Sequence, residues 1–380
     1  MTDDVLVQSP EIEAAVADAS KRAAFALESC RGVGYRDRWR ALTGAVAAGG
    51  DAEGLGPVTR EVAALEGVGR AGAGAGLTYA LTSQRFGVQA PLRSILTPGQ
   101  WRALGDVEGG AALLCHALTE EGGGSDPLSM ATRAEPLDDG GYVLTGRKAY
   151  VTAAPVADTA LVFARTSEGG HPFVLTPFLV DLSAPGVSRS EPFAKTALVE
   201  VPMGALDFDR VRLGPRTLVG REGAGLAVLN ATTAWERALL PAYALGPMRR
   251  VLDRTVEWAR TRRHFGRRMG ESHLVAARVA DMALALMRSR RLVYAMAARL
   301  DAGESPAAVG VEAALTKISV AEDHQAFTRW AAMLGGVRSF VEESGLTADL
   351  ATPMAASVYA GPDDLLRVSV ARGLGLPVEN

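Results

Sequence analysis

Residues 113–222 limit the fold more than any other part of the chain. Short β-prone runs crowd there: Tyr142-Val143-Leu144-Thr145, Ala160-Leu161-Val162-Phe163, Phe178-Leu179-Val180 and Leu206-Asp207-Phe208. Gly, Pro, Asp and Ser separate them, and Asp138-Asp139-Gly140-Gly141 has the composition of a hairpin turn. A small antiparallel β unit is expected. The pattern on both sides is helical. Residues 1–112 read as helices broken by Gly-rich loops. Residues 14–27 are Ala-rich without Pro or Gly, and Pro98-Gly99 reads as a turn signal. The Gly-Ala run at 68–76 implies either tightly packed backbone or a flexible loop. Beyond Gly223, the residues Val275, Val279, Met282, Leu286, Val293, Met296 and Leu300 fall on one helical stripe. Met287 and Met296 belong to apolar faces that serve as core or as interface. Gly303 stops that helix. Ser305-Pro306 reads as N-cap and first residue of the next, which runs to Gly335-Gly336. The expected fold is mainly α with a central β domain. It has an N-terminal helical domain (1–112), a β-strand middle domain (113–222) and a C-terminal four-helix bundle (223–380).

Composition excludes several classes of function. The net charge of −3 over 380 residues carries no electrostatic footprint for nucleic acid. The Arg-rich pieces at 260–268 and 288–291 lie in helical patterns and read first as solvated faces. No apolar run approaches the ~20 residues of a membrane span. Residues 1–4 are acidic and lack the apolar core of a signal peptide. Two distant cysteines, Cys30 and Cys115, form no disulfide framework and fit a reducing cytoplasm. The five histidines lack metal-ligand spacing, so no metal is expected.

Two motifs carry the chemistry. Leu118-Thr119-Glu120-Glu121-Gly122-Gly123-Gly124-Ser125-Asp126 is a polar, glycine-dense loop after the apolar run 111–118. Its glycines let backbone N–H groups approach a ligand, and Thr119 and Ser125 add hydroxyls. Gly146-Arg147-Lys148-Ala149-Tyr150-Val151-Thr152 reads as a strand with an aromatic and a hydroxyl on one face. A loop of donors beside such a strand suits a planar, anionic cofactor such as a flavin dinucleotide. On the residues alone, an ordinary turn is the competing reading.

Taken in order, the motifs resemble the acyl-CoA dehydrogenase family along essentially the whole chain. Residues 118–126 are similar to its Thr-Glu-Pro-Gly-Ala-Gly-Ser-Asp loop, with Glu121 in place of proline. Residues 146–152 are similar to its Asn-Gly-x-Lys-x-Trp-Ile-Thr segment, with Thr145 and Tyr150 as replacements. Gly223-Ala224-Gly225 with Glu236-Arg237 resembles the start of its first bundle helix. Arg262-Arg263-His264-Phe265-Gly266 resembles its Arg-x-x-Phe-Gly turn, and Gly335-Gly336 and Tyr359-Ala360-Gly361 match two later landmarks. The resemblance implies FAD. It places His116, Leu118, Thr119, Gly124, Ser125, Tyr150 and Thr152 against the flavin or its pyrophosphate within one subunit. It places Arg262, Phe265 and His273 on the FAD of a neighbour, so a homodimer or homotetramer is implied. For Arg262, a surface salt bridge is the plain alternative.

The resemblance also implies oxidation of an acyl thioester to its enoyl form, on CoA or on a carrier protein. A carboxylate takes the α-proton and a hydride leaves for the flavin. Most members carry the base as Glu in a Tyr-Glu-Gly segment, where this chain has Ala360. Isovaleryl-type members carry it on the first bundle helix just before an arginine, where this chain has Glu236 and Arg237. Glu236 is therefore the candidate base, with an ordinary helix glutamate as the alternative. The Ala360 backbone N–H is a candidate oxyanion donor. Ser125 and Arg237 are candidate substrate contacts. Ala332, Pro362-Asp363-Asp364 and Ala351-Thr352 depart from the family pattern near a neighbour's cofactor. A specialised biosynthetic dehydrogenase is expected, its electrons passing to an electron-transfer flavoprotein or to oxygen. A flavin monooxygenase, or a subunit completing another chain's FAD site, are the alternatives.

Overall fold

The computed structural model describes residues 8–48 and 54–378, so the acidic residues 1–4 lie outside it. The chain begins with α1 (Pro10–Ser29), α2 (Tyr35–Ala47), α3 (Pro57–Ala71) and α4 (Ala75–Thr82). A seven-residue π-helical segment, Ser83–Gln89, runs from α4 into α5 (Ala90–Ile95), and α6 (Pro98–Ala103) follows. Pro98-Gly99 therefore starts a helix instead of making a turn. Thr97 caps α6 in a reciprocal box with Gln100, and proline's fixed φ suits a first helical position.

The strands are β1 (Leu114–Ala117), β2 (Arg133–Pro136), β3 (Tyr142–Thr152), β4 (Thr159–Arg165), β5 (Leu175–Asp181), β6 (Val187–Arg189) and β7 (Met203–Leu213). They form one seven-stranded sheet, and all four β-prone runs lie within it. The β2–β3 hairpin closes through 137–141, as the Asp-Gly sequence requires. The sheet is mixed and not wholly antiparallel: β1 runs parallel to β4, and Arg133 of β2 also pairs with β4 in parallel. The β2–β3 excursion separates β1 from β4, and a connection that long lets the chain return in the same direction.

The C-terminal helices are α7 (Gly225–Leu239), α8 (Leu245–Thr261), α9 (His273–Asp301) and α10 (Gly310–Gly335), followed by α11 (Ala351–Ala355) and α12 (Asp363–Gly373). A two-strand hairpin, β8 (Arg263–His264) and β9 (Arg267–Arg268), projects between α8 and α9. Met282, Leu286, Val293, Met296 and Leu300 of the predicted stripe are buried; Met287 is partly buried against the same core. Ser305-Pro306 does not start α10. Ser305 Oγ accepts the Ala308 N–H in a separate turn, and burial of Val309 pins that turn before the helix begins. No helix among the described residues is long and apolar enough to cross a membrane.

The N-terminal helices meet the bundle through bare backbone. A Cβ on Gly246 of α8 would lie 2.7 Å from Gly69 Cα of α3, and one on Gly69 would lie 2.9 Å from Pro247 N. The Gly-Ala run is thus close packing at its α3 end. Beside this contact Glu66 of α3 is buried against α9. It meets Arg290 Nε at 3.0 Å and accepts the Tyr294 hydroxyl at 2.8 Å, while Arg290 also reaches Glu13 of α1 at 2.6 Å. Arg290→Met strands the Glu66 carboxylate in an apolar interior, so a stability loss of about 3–5 kcal/mol is expected in urea unfolding. A loss below about 1 kcal/mol would show that this network contributes little.

Candidate active site

The glycine-rich loop is fixed by a buried ion pair. Lys148 of β3 is fully buried; its Nζ donates to Leu118 O at 3.1 Å and to Glu120 Oε1 at 2.9 Å. Glu120 also accepts the N–H groups of Ala131 and Thr132 and the Thr132 hydroxyl. Burial alone would raise the Glu120 carboxyl, but Lys148 and these donors outweigh it and hold it at about 2. Burial pushes the Lys148 ammonium down to about 8 against the pull of Glu120, so both stay charged at neutral pH. The loop closes on itself at Glu120 and Gly123, and a Cβ on Gly124 would lie 2.9 Å from Thr119 Oγ1. Both Glu120 and Lys148 stand inside the motifs, yet nothing in the sequence marks them as a buried pair.

Ten of the predicted site residues line one cavity of about 990 Å³. From the loop and β1 come His116, Leu118, Thr119, Gly124 and Ser125. From β3 come Tyr150 and Thr152. They share a side, as alternation predicts, although a bulge after Lys148 puts Tyr150 at φ +55°. His116 is held by Thr232 Oγ1 at 3.2 Å and by the Phe163 ring, and burial lowers its pKa to about 4, leaving a neutral imidazole.

The bundle supplies Glu236, Arg237 and Ala360 to the same cavity. Burial pushes the Glu236 carboxyl up to about 7, against the opposing charges of Arg237 and Lys317. Tyr79, which lines the cavity, meets the Tyr359 ring at a tilt of 57°, and Tyr243 closes a three-ring cluster behind them. Arg237 Nε donates to Ala360 O at 3.0 Å. Ala360 is left-handed, at φ +54°, and no acceptor among the described residues takes its N–H. The π-helical segment brings Gly87 to Glu236: a Cβ there would lie 3.6 Å from Glu236 Oε1. The sequence reading missed Tyr79, Gly87 and Lys317, because a π-turn and a cross-bundle contact leave no local pattern.

Arg262, Phe265 and His273 do not join this cavity. They line a second one of about 910 Å³ with Gly335 and Gly336. Phe265 sits fully exposed at the β8–β9 tip, and Arg262 lies over the Trp258 ring at 5.5 Å with no carboxylate partner among the described residues. The plain salt-bridge reading of Arg262 therefore does not hold. Two departures acquire structural roles: Asp363 pairs with buried Lys317, and Thr352 Oγ1 accepts the Leu198 N–H.

Residues 115–211 match the model of the acyl-CoA dehydrogenase middle domain, and residues 223–375 match that of the acyl-CoA dehydrogenase C-terminal domain. The chain belongs to the acyl-CoA dehydrogenase family. Among characterised relatives, an L-prolyl-[peptidyl-carrier protein] dehydrogenase of Pseudomonas fluorescens is 32% identical over 325 residues, 85% of this chain and 84% of that one. A solved prolyl acyl carrier protein oxidase, AnaB, superposes with a TM-score of 0.87 at 25% identity, covering 97% of this chain and 100% of its own. The FAD complex of PigA superposes with a TM-score of 0.85 at 26% identity, over 98% of both chains. Acyl-CoA dehydrogenases are flavoproteins, and the donors here fit that group. The loop at Gly124 leaves no room for a side chain, hydroxyls of Thr119, Ser125 and Thr152 face one space, and an aromatic ring stands beside them.

Lys148→Met leaves Glu120 without its ammonium, and a loss of about 3–5 kcal/mol is expected in urea unfolding at pH 7. Glu120 titrates near 2 in the fold against an ordinary 4.5, so its contribution is complete above 4.5 and is lost as pH falls toward 2. The difference between parent and variant measured by urea unfolding should shrink across that window. A difference independent of pH would remove Glu120 from the account.

Proposed function

We propose that the protein is an FAD-dependent dehydrogenase of an acyl thioester borne on a peptidyl carrier protein, with L-prolyl as the acyl group to test first. The carrier and the prolyl group rest on the Pseudomonas fluorescens relative and on AnaB. One observation supports the chemistry above all: a carboxyl poised near neutrality, Glu236, opens into the cavity that holds the flavin-type donors. That pairing favours dehydrogenation over a monooxygenase or a non-catalytic subunit.

Bound FAD supplies the hydride acceptor. Thr119, Ser125 and Thr152 would hold it with their hydroxyls, backbone N–H groups of the loop would add donors, and Tyr150 would supply an aromatic surface. Glu236 takes the α-proton from the acyl group, and one new double bond remains once the hydride has also left. The Ala360 N–H polarises the thioester oxygen as negative charge builds there. Arg237 keeps the Ala360 carbonyl occupied and favours the charged form of Glu236. Neutral His116 sits by the cofactor without adding charge. Arg262, Phe265 and His273, which line the second cavity, would reach the FAD of a second copy in a homodimer or homotetramer.

Anaerobic addition of L-prolyl-carrier protein to the FAD-loaded enzyme should bleach the visible flavin band. The same carrier without its acyl group should not. Glu236→Gln should lower kcat by about 100- to 10,000-fold while flavin binding persists. Full activity in that variant removes Glu236 as the base. Activity should rise with pH through about 7, because Glu236 works deprotonated. The same raised pKa makes the folded state hold a proton that the unfolded state has released, so stability falls as pH rises from 4.5 to about 7. Glu236→Gln should therefore melt higher than the parent at pH 8, with the difference gone below pH 4.5. A difference of the opposite sign would contradict burial as the cause.

A further inference from the structure

The turn that replaces the usual catalytic segment is held at both carbonyls. Arg237 Nε takes the Ala360 carbonyl at 3.0 Å, and Lys317 Nζ takes the Gly361 carbonyl at 3.0 Å. Lys317 comes from α10, is almost fully buried, and meets Asp363 Oδ1 at 2.5 Å. Asp363 is itself buried at the first turn of α12. The Lys317 ammonium also stands 5.8 Å from the centre of the Tyr359 ring, the residue just before Ala360.

The arrangement has a definite mechanical result. Ala360 adopts φ +54° and Gly361 φ +96°. Alanine disfavours the left-handed region, so something outside the turn must hold it there. Two cationic donors grip the Ala360 and Gly361 carbonyls, one on each side of Gly361, and charge-assisted bonds of this kind are the stronger class. Asp363 keeps Lys317 ionised although burial lowers its pKa, and an ammonium without that partner would lose its proton to the apolar interior.

We infer that Lys317 and Asp363 form a positioning clamp that fixes the Ala360 turn and places a positive charge opposite the Glu236 carboxyl. This rests on the dehydrogenase reading above and adds a residue pair that touches neither substrate nor cofactor. Lys317 acts through the turn and through its field, as a positioning residue. The groups facing Glu236 are Arg237 on its own helix, Lys317 from α10, Tyr79 from α4 and Tyr359 from the turn. The tyrosines stay neutral, since burial raises both phenols far above neutrality, so Arg237 and Lys317 are the two charges that favour the carboxylate. A clamp on this turn also accounts for Asp363, one of the departures from the family pattern.

The test uses the double variant Lys317→Met/Asp363→Leu, which removes both charges together and frees only the half-buried Gly361 carbonyl. The Glu236 titration is followed by carbon NMR of glutamate-labelled enzyme, with Glu236→Gln to assign the signal. The midpoint should rise by about one unit, because the lost ammonium had favoured the carboxylate. In turnover of the carrier-bound thioester, kcat should fall by about tenfold to a hundredfold with KM within about twofold. A merely structural pair would lower the melting temperature without moving the Glu236 midpoint. An unmoved midpoint, or a kcat within about twofold of the parent, overturns the clamp. If the double variant fails to melt cooperatively, Lys317→Gln/Asp363→Asn keeps a polar pair and carries the midpoint readout under the same criterion. If the parent turns over no acyl thioester, the dehydrogenase reading fails, and the titration alone decides the clamp.

Discussion

The contact between α3 and α8 is the constraint on which the site depends. Gly69 and Gly246 bring the two helices to backbone distance, with the Pro247 ring packed on Gly69. Docking there fixes α4 and the π-helical segment, which are the next elements along the chain, and brings Tyr79 and Gly87 to the bundle residue Glu236. The buried Glu66–Arg290–Tyr294 network beside it adds direction to an interface that dispersion and burial alone would leave free to slide. The N-terminal elements thereby help bury a carboxyl that belongs to the bundle.

The cavity has two makers with different physical logic. On the sheet side, Lys148 and Glu120 fix the loop by a charge pair that neither residue can leave cheaply. On the bundle side, a carboxyl is left short of hydrogen-bond partners and rises toward neutrality. The first arrangement suppresses titration and the second promotes it. Placed a few elements apart, they give a fixed loop and a titratable carboxyl within one space.

Much of this was legible in the sequence, and the limits are specific. The four β-prone runs, the stripe along α9 and the ordered motifs carried the architecture, because each is a local pattern repeated at a fixed period. The ten cavity residues were legible through the family resemblance, which matches positions without needing geometry. The parallel pairing of β1 with β4 was not, since pairing partners a crossover apart leave no mark on either strand. Pro98 was misread because proline serves turns and helix starts equally well. Lys317 carried no signal, Glu120 stood in the loop motif without a role, and Asp363 showed only as a departure from the family pattern; burial is what assigns their parts.

The π-helical segment carries a consequence of another kind. It holds more residues per turn than the α-helices that flank it, and Gly87 owes its place opposite Glu236 to that extra winding. Deleting a single residue there would remove the extra winding and let the segment close as an α-helix. A bulkier neighbour would then replace glycine beside the carboxyl. The shape of the cavity is therefore set by the count of residues in one short helix as much as by their identity, and a one-codon deletion can reshape it in a single step.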